Sequence, residues 1–134
     1  MEANWHRHYF SIADHRVGVF FREGQTNDLA LTPSYEPFRT TEEEDCVMVM
    51  EVDDTLHPVP KNQRSRIRVF DTGNGDTAVD RLEDGGYQFI IKDIRGRACC
   101  LLIADKAFAH CRCALNGDGV MRSFGLNRGL FLAL

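Results

Sequence analysis

Lysine is scarce in this chain of 134 residues: Lys61, Lys92 and Lys106 are the whole complement, and the other basic side chains are arginine. None of the three lysines sits in a Gly-x-x-x-x-Gly-Lys-Ser/Thr stretch, so the chain holds no phosphate-binding loop of its own. Basic charge as a whole is also short, with 16 Lys and Arg against 20 Asp and Glu and a net charge of −4. That balance argues against a general affinity for nucleic acid, which needs a clustered basic surface. No run approaches the roughly 18 consecutive apolar residues of a membrane span. The start, Met1-Glu2-Ala3-Asn4-Trp5-His6-Arg7-His8, lacks the basic and apolar stretches of a secretory signal. Proline is sparse, and Pro33, Pro37, Pro58 and Pro60 all fall in two segments, 23–45 and 54–62, which read as connections.

What is present is an ordinary globular composition, 43% hydrophobic and 27% charged. The length is that of one domain, able to bury a core without disulfides or metal. Five cysteines (Cys46, Cys99, Cys100, Cys111, Cys113) without an export signal read as reduced thiols in the cytoplasm.

The chain reads as strand after strand and then one helix. His8 to Ala13 and Arg16 to Arg22 are split by Asp14-His15 and read as a hairpin. Glu42-Glu43-Glu44-Asp45 is a solvated acidic run, and Cys46 to Asp53 is a strand with alternating valines. From Arg66 to Leu115 the turns Gly73-Asn74-Gly75, Asp84-Gly85-Gly86 and Arg95-Gly96 separate short strands. Such short connections cannot house crossover helices, so the expectation is an α+β fold with a mainly antiparallel meander. After Asn116-Gly117, Asp118 is a good N-cap, and Val120, Phe124 and Phe131 recur near helical spacing. Gly125, Gly129 and Ala133 give this helix a small face that another backbone can approach. The helix reaches Leu134 with no stop signal, which reads as a cut inside a longer helix. Phe124, Leu130, Phe131 and Leu134 are the expected interface residues, with Leu130, Phe131 and Leu134 under-packed in this chain alone.

Side chains with chemical potential each have a structural reading beside them. Cys99, Cys100, Cys111 and Cys113 lie on neighbouring strands, as a sulfur-ligated zinc site would require. Adjacent Cys99 and Cys100 point to opposite faces of a regular strand, however, so the four cannot converge without a bulge. Small apolar core positions are the favoured role. His6-x-His8 lacks a nearby carboxylate or thiol, and alternation sends His110 away from the cysteine pair. Asp71 to Asp76 fails both the calcium-loop and the phosphate-loop patterns and reads as a hairpin turn. Arg64, Arg66 and Arg68 alternate on one face as a basic stripe, with Glu51, Asp53, Asp80 and Asp93 as candidate ion-pair partners. No catalytic constellation emerges from spacing, so no catalytic, cofactor-binding or metal-binding residue is nominated.

The segment Asp118 to Leu134, with its Phe124-Gly125-Leu126-Asn127 core, resembles bacterial P-loop proteins related to HPr kinase/phosphorylase and phosphoenolpyruvate carboxykinase. Pro33-Ser34-Tyr35-Glu36-Pro37-Phe38 and the Phe70 to Asp76 hairpin are similar to the same family's N-terminal region. The resemblance implies that residues 1–134 form a single β-rich module ahead of a nucleotide-binding domain. It implies a module that is not itself an enzyme and positions that domain or presents a substrate or partner to it. ATP and magnesium belong only to a downstream P-loop domain. The alternative is a stand-alone binding module holding a ligand or protein on one face of the sheet. The expected partner is the chain's own downstream domain or another protein, with neither nucleic acid nor membrane involved.

Overall fold

The computed structural model describes residues 4–41, 45–71, 73 and 75–134. The acidic stretch Glu42 to Glu44, and Thr72 and Asn74 of the glycine-rich turn, lie outside the described residues. The strands are β1 (Trp5–Ile12), β2 (His15–Arg22), β3 (Arg39–Thr40), β4 (Cys46–Val52), β5 (Arg64–Asp71), β6 (Asp76–Leu82), β7 (Tyr87–Lys92), β8 (Ala98–Ala104) and β9 (His110–Leu115). One helix, α1 (Gly119–Ala133), follows them. Among the described residues all nine strands join one sheet, in the order β3-β1-β2-β4-β9-β8-β7-β6-β5.

The expected hairpin and meander are present. β1 and β2 pair from Trp5↔Arg22 to Ile12↔His15, and the turn is Ala13-Asp14, both at positive φ (50° and 67°). Paired positive φ values let a two-residue turn follow the right-handed twist of the strands. Strands β5 to β9 form a continuous antiparallel meander. The sheet is nevertheless mixed, because β4 runs parallel to both of its neighbours, β2 and β9. The antiparallel expectation therefore fails at the centre of the sheet. Residues 23–45 carry the chain back to the start of the next strand through two 3-10 segments (Leu29–Leu31, Pro33–Phe38) and the short β3, so β4 can run alongside β2. The meander in turn returns β9 to the far edge of β4.

One face of this sheet is apolar from strand to strand. Val17, Val19 and Phe21 stand opposite Met48, Met50 and Val52. Met50 and Val52 stand opposite Cys111 and Cys113, Cys113 opposite Leu102, and Leu102 opposite Phe89. Helix α1 covers this face over β7, β8 and β9. Leu126 and Leu130 sink into it, and full burial of such a side chain contributes about 1.5–3 kcal/mol. Asp118 starts the helix as expected, its carboxylate accepting from the Met121 amide at 2.9 Å, a cap of about 1 kcal/mol. Leu29, Leu31 and Tyr35 pack on the same core. The Leu31 carbonyl is gripped from α1 by Ser123 Oγ (2.8 Å) and Asn127 Nδ2 (2.9 Å).

The small face of α1 meets its own sheet. A Cβ placed on Gly125 would lie 2.7 Å from the Cys99 carbonyl oxygen, so only glycine allows the helix this close to β8. At the N-terminal end of α1, Arg122 knots three segments together. Its guanidinium donates to Asp54 (2.7 Å), Asn27 (2.9 Å) and the Gly117 carbonyl (2.8 Å).

Two local readings are corrected by bulges. On β8, Ile91 pairs with Cys100 while Lys92 pairs with Ala98, leaving Cys99 as an extra residue. On β5, the register shifts between Arg66 and Arg68. Arg64 and Arg66 therefore share one face and both reach the Asp80 carboxylate. Arg68 leaves that stripe, pairs opposite Val79 and lies 4.6 Å above the Phe70 ring.

Candidate functional site

Two elements build the site: the tight turn between β7 and β8, and the outward side of α1. In the turn, the Asp93 carboxylate accepts from the amides of Arg95 and Arg97 (2.9 Å each) and from Arg97 Nε at 2.8 Å. The Arg97 amide foremost, then its side chain and the Arg95 amide, hold the Asp93 carboxyl below the usual carboxylate range. This self-contained turn pushes Ile94 outward, leaving it 76% exposed. Beside it, the first turns of α1 present Val120, 80% exposed. Ile94, Val120, Met121 and Phe124 line an open depression of about 460 Å³, with Asp93, Arg95 and Arg97 around it.

The apolar character continues along the helix. Val120, Phe124 and Phe131 lie at i, i+4 and i+11, which places them on one side of a 3.6-residue helix. Phe131 is 70% exposed and Leu134 54% exposed. At the far end Ala133 and Leu134 join Ile12, Val47, Met48 and Phe108 around a second depression of about 310 Å³. Helix α1 contains no acidic residue. Its two cations differ in circumstance: Arg122 is tied to Asp54, whereas Arg128 lies 5.9 Å above the Phe131 ring. Among the described residues neither Arg128 nor Arg95 has a carboxylate partner.

Of the residues expected at an interface, Phe131 and Leu134 are on this surface, and Phe124 is half-buried at the depression. Leu130 is not: it is 2% exposed and packs into the sheet. The expectation that it would be under-packed is corrected by one residue of helical phase, since 130 points inward where 131 points out. Val120 and Ile94 are additions. Val120 was legible, lying one turn before Phe124 on the same side, but Ile94 depends on the turn geometry.

The other candidate groups lie elsewhere. Cys100 and Cys113 are buried and hydrogen-bonded thiol to thiol; that bond and then burial raise the Cys100 thiol far above its ordinary value. Burial likewise pushes the Cys99 and Cys111 thiols to about 12. Cys99 Sγ donates to the Ile91 carbonyl at 3.3 Å. Cys99, Cys100 and Cys111 are therefore protonated core side chains at physiological pH. His6 lies 3.6 Å from Glu23, while His8 packs on the Phe21 ring at 5.8 Å and is lowered in pKa by burial. His110 pairs with Glu51 on the face opposite the cysteines. Among the described residues no group of three or more His, Cys, Asp or Glu is arranged to hold a metal ion. Nor is any helix among them long and apolar enough to cross a membrane.

Comparison of the chain with protein-family models, with curated proteins and with solved structures finds no match.

Proposed function

We propose that this chain is a non-catalytic module that docks another protein domain on the outer side of α1. The docked domain is the P-loop nucleotide-binding half of a kinase-like protein related to HPr kinase/phosphorylase or phosphoenolpyruvate carboxykinase. The observation that carries the docking is the exposure of Val120, Phe131 and Leu134 along one helix. Three apolar side chains exposed on one side of the helix, with Ile94 beside Val120, are the kind of uncovered apolar surface that marks an interaction site. The identity of the docked domain comes from the Phe124-Gly125-Leu126-Asn127 resemblance. In this reading ATP and magnesium belong to the docked domain, and the module works in the cytoplasm with its thiols reduced. A second reading, a stand-alone binding module without enzymatic activity, is favoured by the depression at Ile94 and Val120.

The test compares residues 1–134 with the natural polypeptide continued past Leu134, following amide hydrogen exchange. Slower exchange at Val120 and Phe131 in the continued chain is the expected result. A continuation with no glycine-rich Lys-Ser/Thr loop within about one domain length would remove the P-loop assignment. Unchanged exchange along α1 would remove the docking itself. Residues 1–134 alone should show no saturable amide shifts with Mg-ATP.

A further inference from the structure

We infer that the occupant of the α1 surface is an amphipathic helix with acidic residues flanking its apolar stripe. This rests on the docking reading above and adds the chemistry of the partner. Val120, Phe124 and Phe131 form a ridge about 17 Å long, at 1.5 Å per residue. A partner helix of about three turns, with apolar residues at i, i+4, i+7 and i+11, matches that length.

Charge decides between a partner of this kind and a second copy of the chain. The ridge is edged by two cations without carboxylate partners among the described residues, Arg95 beside Val120 and Arg128 above Phe131. No Asp or Glu lies on α1, and Asp93 is already held by Arg97 and two amides. A two-fold pairing of α1 with itself would centre between Gly125 and Leu126, the midpoint of the ridge, and bring both Arg128 side chains within a turn of it. Neither helix offers a carboxylate there, and like charges in an interface discriminate against that pairing. A partner with two acidic residues about two turns apart meets both cations, because Arg128 lies eight positions beyond Val120, about 12 Å along the axis.

The probes are two designed helical peptides of about 18 residues, identical in their leucine stripe. One carries Glu at the two flanking positions and the other carries Lys there. Each is titrated into isotope-labelled residues 1–134 at low and at high salt. The Glu peptide should bind about tenfold tighter at low salt, with shifts centred on Ile94, Val120, Phe124 and Phe131, and the advantage should shrink at high salt. The double variant Arg95→Glu/Arg128→Glu should reverse the order. Equal binding of the two peptides at this surface overturns the acidic partner while leaving the docking reading intact. Absence of shifts on α1 with either peptide overturns the inference and counts against the docking reading as well. A concentration-dependent dimer abolished by Phe131→Ser would assign the surface to a second copy instead.

Discussion

Alanine at Gly125 and alanine at Gly129, four residues apart on the inward side of α1, should move stability in opposite directions. Helix propensity alone favours alanine by about 1 kcal/mol at each site. At 125, the new Cβ would meet the Cys99 carbonyl oxygen at 2.7 Å, the Cys99 carbonyl carbon at 3.1 Å and the Cys100 Cβ at 3.0 Å. Those atoms cannot step aside, because β8 is laddered to β7 and β9 and the Cys99 carbonyl accepts from the Asn116 amide. The helix must lift instead, loosening Leu126 and Leu130 in the core. Overpacking of this kind costs about 1–3 kcal/mol and at times more, so Gly125→Ala should lose about 1–2 kcal/mol net of the propensity gain. At 129 the nearest atom is Cys100 Sγ at 3.6 Å, an ordinary contact. Gly129→Ala should gain about 0.5–1 kcal/mol. The two variants then differ by about 2–3 kcal/mol, or roughly 10 °C in melting midpoint for a domain of this size. Urea unfolding followed by far-ultraviolet circular dichroism, with equal m-values, measures the gap. A Gly125→Ala protein as stable as the parent would refute the close approach of α1 to β8.

Leu126→Ala, at a fully buried site under α1, should cost about 3–4 kcal/mol in the same assay. Phe131→Ser should change stability by less than about 0.5 kcal/mol, and a large loss there would mean that Phe131 belongs to the core. Burial pushes the Asp53 carboxyl up, but hydrogen bonds from Thr55, Gln25 and Arg22 overcome it and hold the group at about 2. A folded value below the unfolded one of about 3.9 means that this stabilisation is complete above pH 4 and drains away as pH falls towards 2. It amounts to about 1–2 kcal/mol after allowance for the solvent-facing side of the group. Asp53→Asn should flatten the acid limb of a pH–stability curve between pH 4 and 2, and an unchanged limb would refute the assignment.

Local chemistry made much of this fold legible. Glycine and asparagine turns bound the strands of the meander, and the Asp118 cap and the change of period mark α1. Strand order was hidden, because nothing in the alternation of Val47 and Val49 says whether β2 lies parallel or antiparallel to β4. The two bulges were hidden for a related reason: an extra residue in one strand shows only against its partner. Arg68 leaves the expected arginine stripe on that account, and Cys99 becomes the extra residue on β8. At the candidate surface the helical period identified Phe131 and Leu134, but the run Leu130-Phe131-Leu132-Ala133-Leu134 is apolar throughout and gives no phase to separate Leu130 from Phe131.

The central place of β4 also dictates an order of assembly. One edge of β4 can pair with β2 soon after synthesis, since residues 23–45 alone separate them. The other edge waits for β9, with Val49 opposite His110, some sixty residues later. At roughly 5–20 residues per second on the ribosome, that edge stays open for about 3–12 s. The waiting strand, Cys46-Val47-Met48-Val49-Met50-Glu51-Val52, carries a single charge and no proline. Such a segment is prone to pair with another nascent chain. Yield of folded protein should therefore be limited during translation by β4, and slowing synthesis between residues 53 and 109 should lengthen its exposure.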